Sequence, residues 1–189
     1  FWKKLIAYSW PLIIVGLAGM VNELIDRFML LKLVKGTTEA AYSQSGIYGA
    51  NYKLAVLIVL FIQAFRMGAE PFFFKQSTEE NAQRTYARVM KFFVIACCFM
   101  FLLIGLYLDV FKWIFTTFAN PRWAEGLQIV PLLALGNIFL GIYYNLSVWY
   151  KLTNKNTYGA VITIAGAVIT IVLNIVLIPK LHYTGAAIA

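Results

Sequence analysis

The stretch from residue 46 to residue 75 constrains the fold of this chain more than any other. Its middle, residues 54–62, is fully apolar. The whole stretch is longer than the roughly 20 residues that a helix needs to cross a bilayer. Five side chains nearer its ends are polar or charged: Asn51, Lys53, Gln63, Arg66 and Glu70.

A helix that only anchors a protein has no use for such groups, because each costs a few kcal/mol when it faces lipid. Gln63, Arg66 and Glu70 follow one another at i, i+3 and i+7, so we predict that they share one helical face. We expect this face to look into a protein-lined or wet cavity. That makes it a candidate transport pathway.

The composition sets the class of protein. Apolar residues make up 61% of the chain and charged residues only 13%, whereas soluble domains have roughly 45–50% and 25%. This predicts an all-α integral membrane protein, built as a polytopic helix bundle. The net charge of +8 indicates basic cytoplasmic loops and contact with membrane lipids, and it does not indicate nucleic-acid binding.

The apolar runs predict about five complete membrane spans and the start of a sixth. We expect residues 75–88 to form an amphipathic segment on the cytoplasmic surface, because they are polar and basic at their end. Residues 109–125 are predicted to be a loop, and Pro179 is expected to close the fifth span. The spans are predicted at about 5–33, 47–69, 89–108, 127–149, 158–178 and from 184 onward.

The end of the first span is unusually polar. Glu23 and Arg27 are spaced i, i+4, and they either neutralise each other or form a polar patch on a cavity wall. The first two spans are expected to form an antiparallel hairpin. Asp26 and Arg27 should then lie near Asn51 and Lys53, with the Arg66 end of the second span toward the opposite surface.

The fourth span carries Asn137, Gly141 and Asn145 on one face, which is more typical of helix packing than of a substrate site. No pattern for a catalytic residue, a metal or another cofactor is found in the sequence, so we do not expect an enzyme. The chain begins without Met and stops inside a predicted helix. We therefore expect it to be part of a longer protein.

The distribution of Lys and Arg predicts the orientation, because these residues concentrate in cytoplasmic loops. The side with the larger number is expected to be cytoplasmic, and the amino end of the chain starts there. That side carries nine: Lys3, Lys4, Arg66, Lys75, Arg84, Arg88, Lys91, Lys151 and Lys155. The other side carries five: Lys32, Lys35, Lys112, Arg122 and Lys180.

Four short motifs resemble one known superfamily in their order and spacing. They are DRFML at 26–30, GIYGANYK at 46–53, AEPFFFK at 69–75, and NIVLIP at 174–179 followed by GAAIA at 185–189. Together they resemble the O-antigen and polysaccharide flippases of the multidrug/oligosaccharidyl-lipid/polysaccharide exporter superfamily.

That resemblance implies two six-helix lobes that move an undecaprenyl-pyrophosphate-linked oligosaccharide by alternating access. The cargo would pass from the cytoplasmic to the outer leaflet of the bacterial inner membrane. This chain would then be most of one lobe, and its main partner would be the second lobe of the same protein.

The residues fit such a cargo, since a pyrophosphate needs cationic partners. The expected substrate-binding residues are Arg27, Lys53, Arg66, Asn51 and Gln63. The carboxylates expected to orient these cations, or to couple transport to a proton or sodium gradient, are Glu23, Asp26 and Glu70.

Three alternatives stay open. A multidrug exporter of the same superfamily would prefer acidic groups in its cavity, and a flippase for the lipid-linked peptidoglycan precursor would look the same in one lobe. A membrane scaffold that transports nothing would use all these charges as internal ion pairs.

Overall fold

A computed structural model of the chain describes residues 2–34 and 37–189. Within these ranges the chain is helical and contains no strand, which confirms the prediction of an all-α fold. A 3-10 helix at Pro121–Ile129 separates the fourth and fifth of seven α-helices. The α-helices are α1 (Trp2–Leu33), α2 (Thr38–Gln76), α3 (Ala82–Leu106), α4 (Leu108–Phe118), α5 (Val130–Leu152), α6 (Asn156–Leu181) and α7 (Tyr183–Ile188).

Four helical stretches in the described residues are long and apolar enough to cross a membrane. Among the described residues of α1, Ser9–Met20 form a shorter apolar segment. The chain is therefore a multi-pass membrane protein. The four stretches are Thr38–Gln76, Ala82–Leu106, Pro121–Leu152 and Asn156–Leu181.

The helices form two compact units. The first comprises Phe1–Gly49 and Thr153–Ala189, and the second comprises Ala50–Leu152. The boundary at Gly49 lies inside α2, so this helix contributes residues to both units. It has 39 residues and is about 58 Å long at a rise of about 1.5 Å per residue.

In the second unit, α3 packs against α2 through aromatic rings. The ring centroid of Phe93 lies 4.6 Å from that of Phe65 and 6.0 Å from that of Phe61. Farther along, the Tyr86 ring meets the Phe73 ring edge-on at 5.0 Å, and its hydroxyl donates to the Phe73 carbonyl oxygen at 2.8 Å. The ring contacts move toward the carboxyl end of α2, from Phe65 to Phe73, and toward the amino end of α3, from Phe93 to Tyr86. The two helices are therefore antiparallel.

Helix α5 runs parallel to α2. The Asn137 amide donates to the Ala55 carbonyl at 3.3 Å, and one turn later Gly141 faces Ile62. A Cβ atom on Gly141 would come within 2.9 Å of the side chains of Ile62 and Phe93. The glycine therefore lets three helices approach closely, as small residues do in membrane bundles.

The predicted loop at residues 109–125 is wrong. This region contains α4 and the start of the 3-10 helix, because Val110, Trp113 and Ile114 recur at helical spacing and give α4 an apolar face. An 11-residue helix is too short to cross a membrane. Asn120 caps the 3-10 helix, since its side chain accepts from the Arg122 amide at 3.0 Å.

The helix ends differ in two places from the predicted elements. The predicted surface segment at residues 75–88 comprises the last two residues of α2, a turn and the first turns of α3, and its place at the cytoplasmic surface stays a prediction. The fifth span does not close at Pro179, because α6 continues to Leu181 and ends at His182, which has a φ of 53°. Membrane helices tolerate proline when neighbouring groups satisfy the freed backbone.

Replacing Gly141 by Leu should destabilise the second unit by roughly 1–3 kcal/mol, because the new side chain would overlap Ile62 and Phe93. Gly136→Leu is the matched control, since no atom outside its own helix lies within 4 Å of a Cβ at that exposed position. Thermal unfolding of both variants in detergent would test this. Equal stability of the two variants would contradict the packing described here.

Candidate functional site

The second unit contains a cluster of charged side chains between α2 and α5. The Glu70 carboxylate oxygen Oε1 accepts a hydrogen bond from Arg66 Nε at 3.1 Å and another from Lys151 Nζ at 2.5 Å. The Arg66 guanidinium also lies over the Tyr144 ring, 4.6 Å from its centroid. We call Arg66, Glu70, Lys151 and Tyr144 the cationic cluster.

The positions of these residues follow from the parallel packing of α2 and α5. Arg66 and Glu70 are one turn apart on α2, and Tyr144 and Lys151 are two turns apart on α5. Since both helices run in the same direction, their carboxyl-terminal turns meet. The Lys151 side chain is 16% exposed, and those of Arg66 and Glu70 are 35% and 30% exposed.

Two cations share one carboxylate in this cluster, so a net positive charge of one remains. The cavity beside it measures about 10 Å³, which is room for about one water molecule. A phosphate therefore cannot enter this cavity in the conformation described here. It would have to approach from the exposed side of the cluster or after the helices separate.

Sequence reasoning found half of this cluster. Arg66 and Glu70 were predicted to share a cavity face, whereas Lys151 was counted only as a loop cation and Tyr144 was not singled out. Tyr144 and Lys151 are spaced i, i+7, so the sequence could have shown that they share one face of α5. The third residue predicted for that face, Gln63, is exposed and does not line the cavity.

The first unit contains a second polar cluster, around Asp26 of α1. Its carboxylate accepts from the Tyr48 hydroxyl at 2.9 Å and from the Asn174 amide Nδ2 at 2.7 Å. The three side chains come from α1, α2 and α6. We call them the Asp26 cluster.

Asp26 and Asn174 each lie seven residues before the end of their helix, at Leu33 and Leu181. The hydrogen bond between them therefore joins the carboxyl-terminal parts of α1 and α6. Tyr48 and Asn174 are buried, and the Asn174 Oδ1 atom accepts no hydrogen bond from the described residues. An oxygen of this kind beside a carboxylate can accept a proton donor or a cation.

The other predicted site residues lie elsewhere. Asn51 is fully buried, and its amide donates to the Trp123 carbonyl at 2.8 Å, so a cargo does not reach it in the conformation described here. Lys53 is exposed and Arg27 is half-buried. The side chain of Glu23 lies outside the described residues. The predicted proximity of Asp26 and Arg27 to Asn51 and Lys53 joins residues of the two units, and it stays a prediction.

The two amide residues of α5 differ in their contacts, and Asn145 also lines the cavity beside the cationic cluster. Asn137 bonds across to α2, while the Asn145 amide donates within α5 to the Gly141 carbonyl at 3.1 Å. In the described ranges, no group of three or more His, Cys, Asp or Glu side chains could hold a metal ion.

The fold and these clusters define a multi-pass helical membrane protein with charged side chains held between its helices. Neither family models nor curated proteins nor solved structures give a match to the chain.

Replacing Glu70 by Ala should lower the free energy of unfolding by about 1–3 kcal/mol, because it leaves two partly buried cations without a counter-charge. Glu80→Ala removes an exposed carboxylate from the turn before α3 and should change it by less than about 0.5 kcal/mol. Thermal unfolding in detergent compares the two variants. A Glu70→Ala variant as stable as the control would show that the cluster does not support the fold.

Proposed function

We propose that the chain is part of a flippase that moves an undecaprenyl-pyrophosphate-linked oligosaccharide from the cytoplasmic to the outer leaflet of the bacterial inner membrane. The observation that carries this proposal is the cationic cluster, in which Arg66 and Lys151 share the single carboxylate of Glu70. The repeat unit of an O-antigen, a capsule or an exopolysaccharide would be the cargo.

The chemistry of the cluster supports an anionic cargo. A guanidinium offers forked donors that match phosphate oxygens, and an ammonium adds a mobile point charge. Since Glu70 neutralises only one of the two cations, a pyrophosphate could bind without first displacing the carboxylate. Lys53 and Arg27 remain further predicted cations for the same cargo.

The proposed topology places the cationic cluster near the cytoplasmic surface, where the cargo is made. In this topology α1 joins the four long apolar stretches as a fifth span, and α7 begins a sixth. The chain then forms most of one lobe, its amino end is cytoplasmic, and a second lobe of the same protein closes the pathway. Rocking of the two lobes would expose the cargo alternately to each side.

The Asp26 cluster is proposed to couple this movement to a proton or sodium gradient. Its carboxylate and the buried Asn174 oxygen offer ligands that a proton or a small cation can occupy. Binding there would change the hydrogen bonds that link α1, α2 and α6. A ligand that favours one arrangement of these helices shifts the balance between them.

A multidrug exporter is the second candidate, and Asp26 is the observation that favours it. A half-buried carboxylate that accepts two hydrogen bonds could hold a cationic drug. The excess of positive charge at the cationic cluster argues the other way. A flippase for the lipid-linked peptidoglycan precursor would use the same pyrophosphate chemistry.

Lys151→Gln and Arg66→Gln should each lower surface polysaccharide display at least about tenfold at normal membrane abundance, since each removes one charge-assisted contact to phosphate. The measurement is display against protein abundance, in the full-length protein and a strain whose polysaccharide can be scored. Lys112→Gln, on the exposed face of α4, is the control and should leave display unchanged. Reduced abundance of both cluster variants would favour the scaffold, and normal display in both would refute the site.

Asp26→Asn should uncouple transport from the ion gradient while the protein stays in the membrane. The reason is that an amide does not take up a proton near neutral pH and carries no charge to neutralise a cation. Flipping of a lipid-linked cargo in proteoliposomes, with and without imposed proton and sodium gradients, measures this. Asn174→Asp keeps a similar shape and adds a carboxylate, so it should change the gradient response and not abolish it. Gradient-dependent flipping by Asp26→Asn would contradict the coupling role.

A further inference from the structure

A groove on the first turns of α3 lies apart from both clusters. Arg84, Arg88 and Lys91 follow one another at i, i+4 and i+7, so they occupy one face of the helix. Together with Ala87 and Phe92 they line an open groove of about 390 Å³. The groove is open to its surroundings, so a phosphate group can approach the three basic side chains directly.

The groove carries three positive charges that no described carboxylate neutralises. All three basic side chains are exposed, and the two ion pairs described above involve Arg66, Lys151 and Glu70 and none of these three residues. The acidic residues nearest in sequence, Glu79 and Glu80, are exposed on the turn before α3. The groove is therefore a surface of concentrated positive charge that complements an anion.

The position of the groove on α3 places it at the edge of the bilayer. The helix has 25 residues and measures about 37 Å, whereas the hydrocarbon core is about 30 Å thick. From Phe92 to Leu106 the helix carries no charged residue, over about 22 Å. The three basic side chains therefore lie at the amino-terminal end of this apolar part, and long basic side chains near the end of a membrane helix reach to the headgroups.

The groove also has an apolar end. Phe92 is 64% exposed and adjoins Lys91 on the side of the hydrocarbon. A ligand that suits both ends has a phosphate for the forked donors of arginine and an acyl chain for the aromatic ring. Anionic phospholipids have this form, and basic residues at a cytoplasmic membrane surface attract them.

We propose that the groove formed by Arg84, Arg88 and Lys91 binds an anionic phospholipid of the surrounding bilayer by its headgroup phosphate. The bound lipid fixes the depth of α3 in the membrane. This site does not depend on the proposed cargo, because its basic residues lie on α3 whereas the cationic cluster lies on α2 and α5.

Native mass spectrometry of the purified full-length protein with added phosphatidylglycerol or phosphatidylethanolamine tests the proposal. The variant Arg84→Gln/Arg88→Gln/Lys91→Gln should bind phosphatidylglycerol about 10- to 100-fold more weakly, since each basic residue strengthens this contact severalfold. The control variant Lys112→Gln/Arg122→Gln/Lys180→Gln loses the same charge at exposed positions elsewhere. It should bind within about twofold of the unmodified chain.

Equal losses in both triple variants, or no preference for phosphatidylglycerol over phosphatidylethanolamine, would overturn the proposal. So would glycerol phosphate competing as strongly as the whole lipid, because that result indicates a site for soluble anions. If the triple variant does not fold, Arg84→Lys/Arg88→Lys keeps the charge and removes the forked donors. It should bind phosphatidylglycerol about threefold more weakly, and unchanged binding would contradict the role of the arginines.

Discussion

The structure depends on the need to satisfy polar side chains inside apolar helices. Lipid offers no hydrogen bonds, so a buried amide or carboxylate must find its partner on a neighbouring helix. The chain meets this requirement with a few contacts. In the first unit Asn174 and Tyr48 donate to Asp26, and in the second unit Asn137 and Asn51 donate to backbone carbonyls.

These contacts also fix which helices are neighbours and in which direction they run. The hydrogen bond from Asn137 to the Ala55 carbonyl and the close approach at Gly141 set α5 parallel to α2. That arrangement alone brings Lys151 to Glu70, across 81 positions of sequence. The charged cluster is thus a consequence of packing that small and amide side chains determine, and a functional proposal for it rests on this geometry.

The sequence predicted the class of fold and the polar faces from local patterns. The composition was enough to predict a helical membrane protein, and the spacing of Arg66 and Glu70 was enough to place both on one face of a helix. Lys151 could not be assigned to them, because its role depends on the parallel packing of two helices. Helix α4 was missed although its apolar residues recur at helical spacing in the sequence, because its 11 residues are too few for a membrane span. The end of α6 was misplaced because proline was treated as a stop, which is less reliable in a membrane helix.

The central claim is that the cationic cluster receives an anionic lipid-linked cargo, and equilibrium binding tests it most directly. The full-length protein in detergent would be titrated with undecaprenyl pyrophosphate and, separately, with the lipophilic cation tetraphenylphosphonium. The account predicts binding of the pyrophosphate that weakens with salt, and weakens further when Lys151 is replaced by Gln. Tighter binding of the cation, or pyrophosphate binding that is indifferent to Lys151 and to salt, would contradict it.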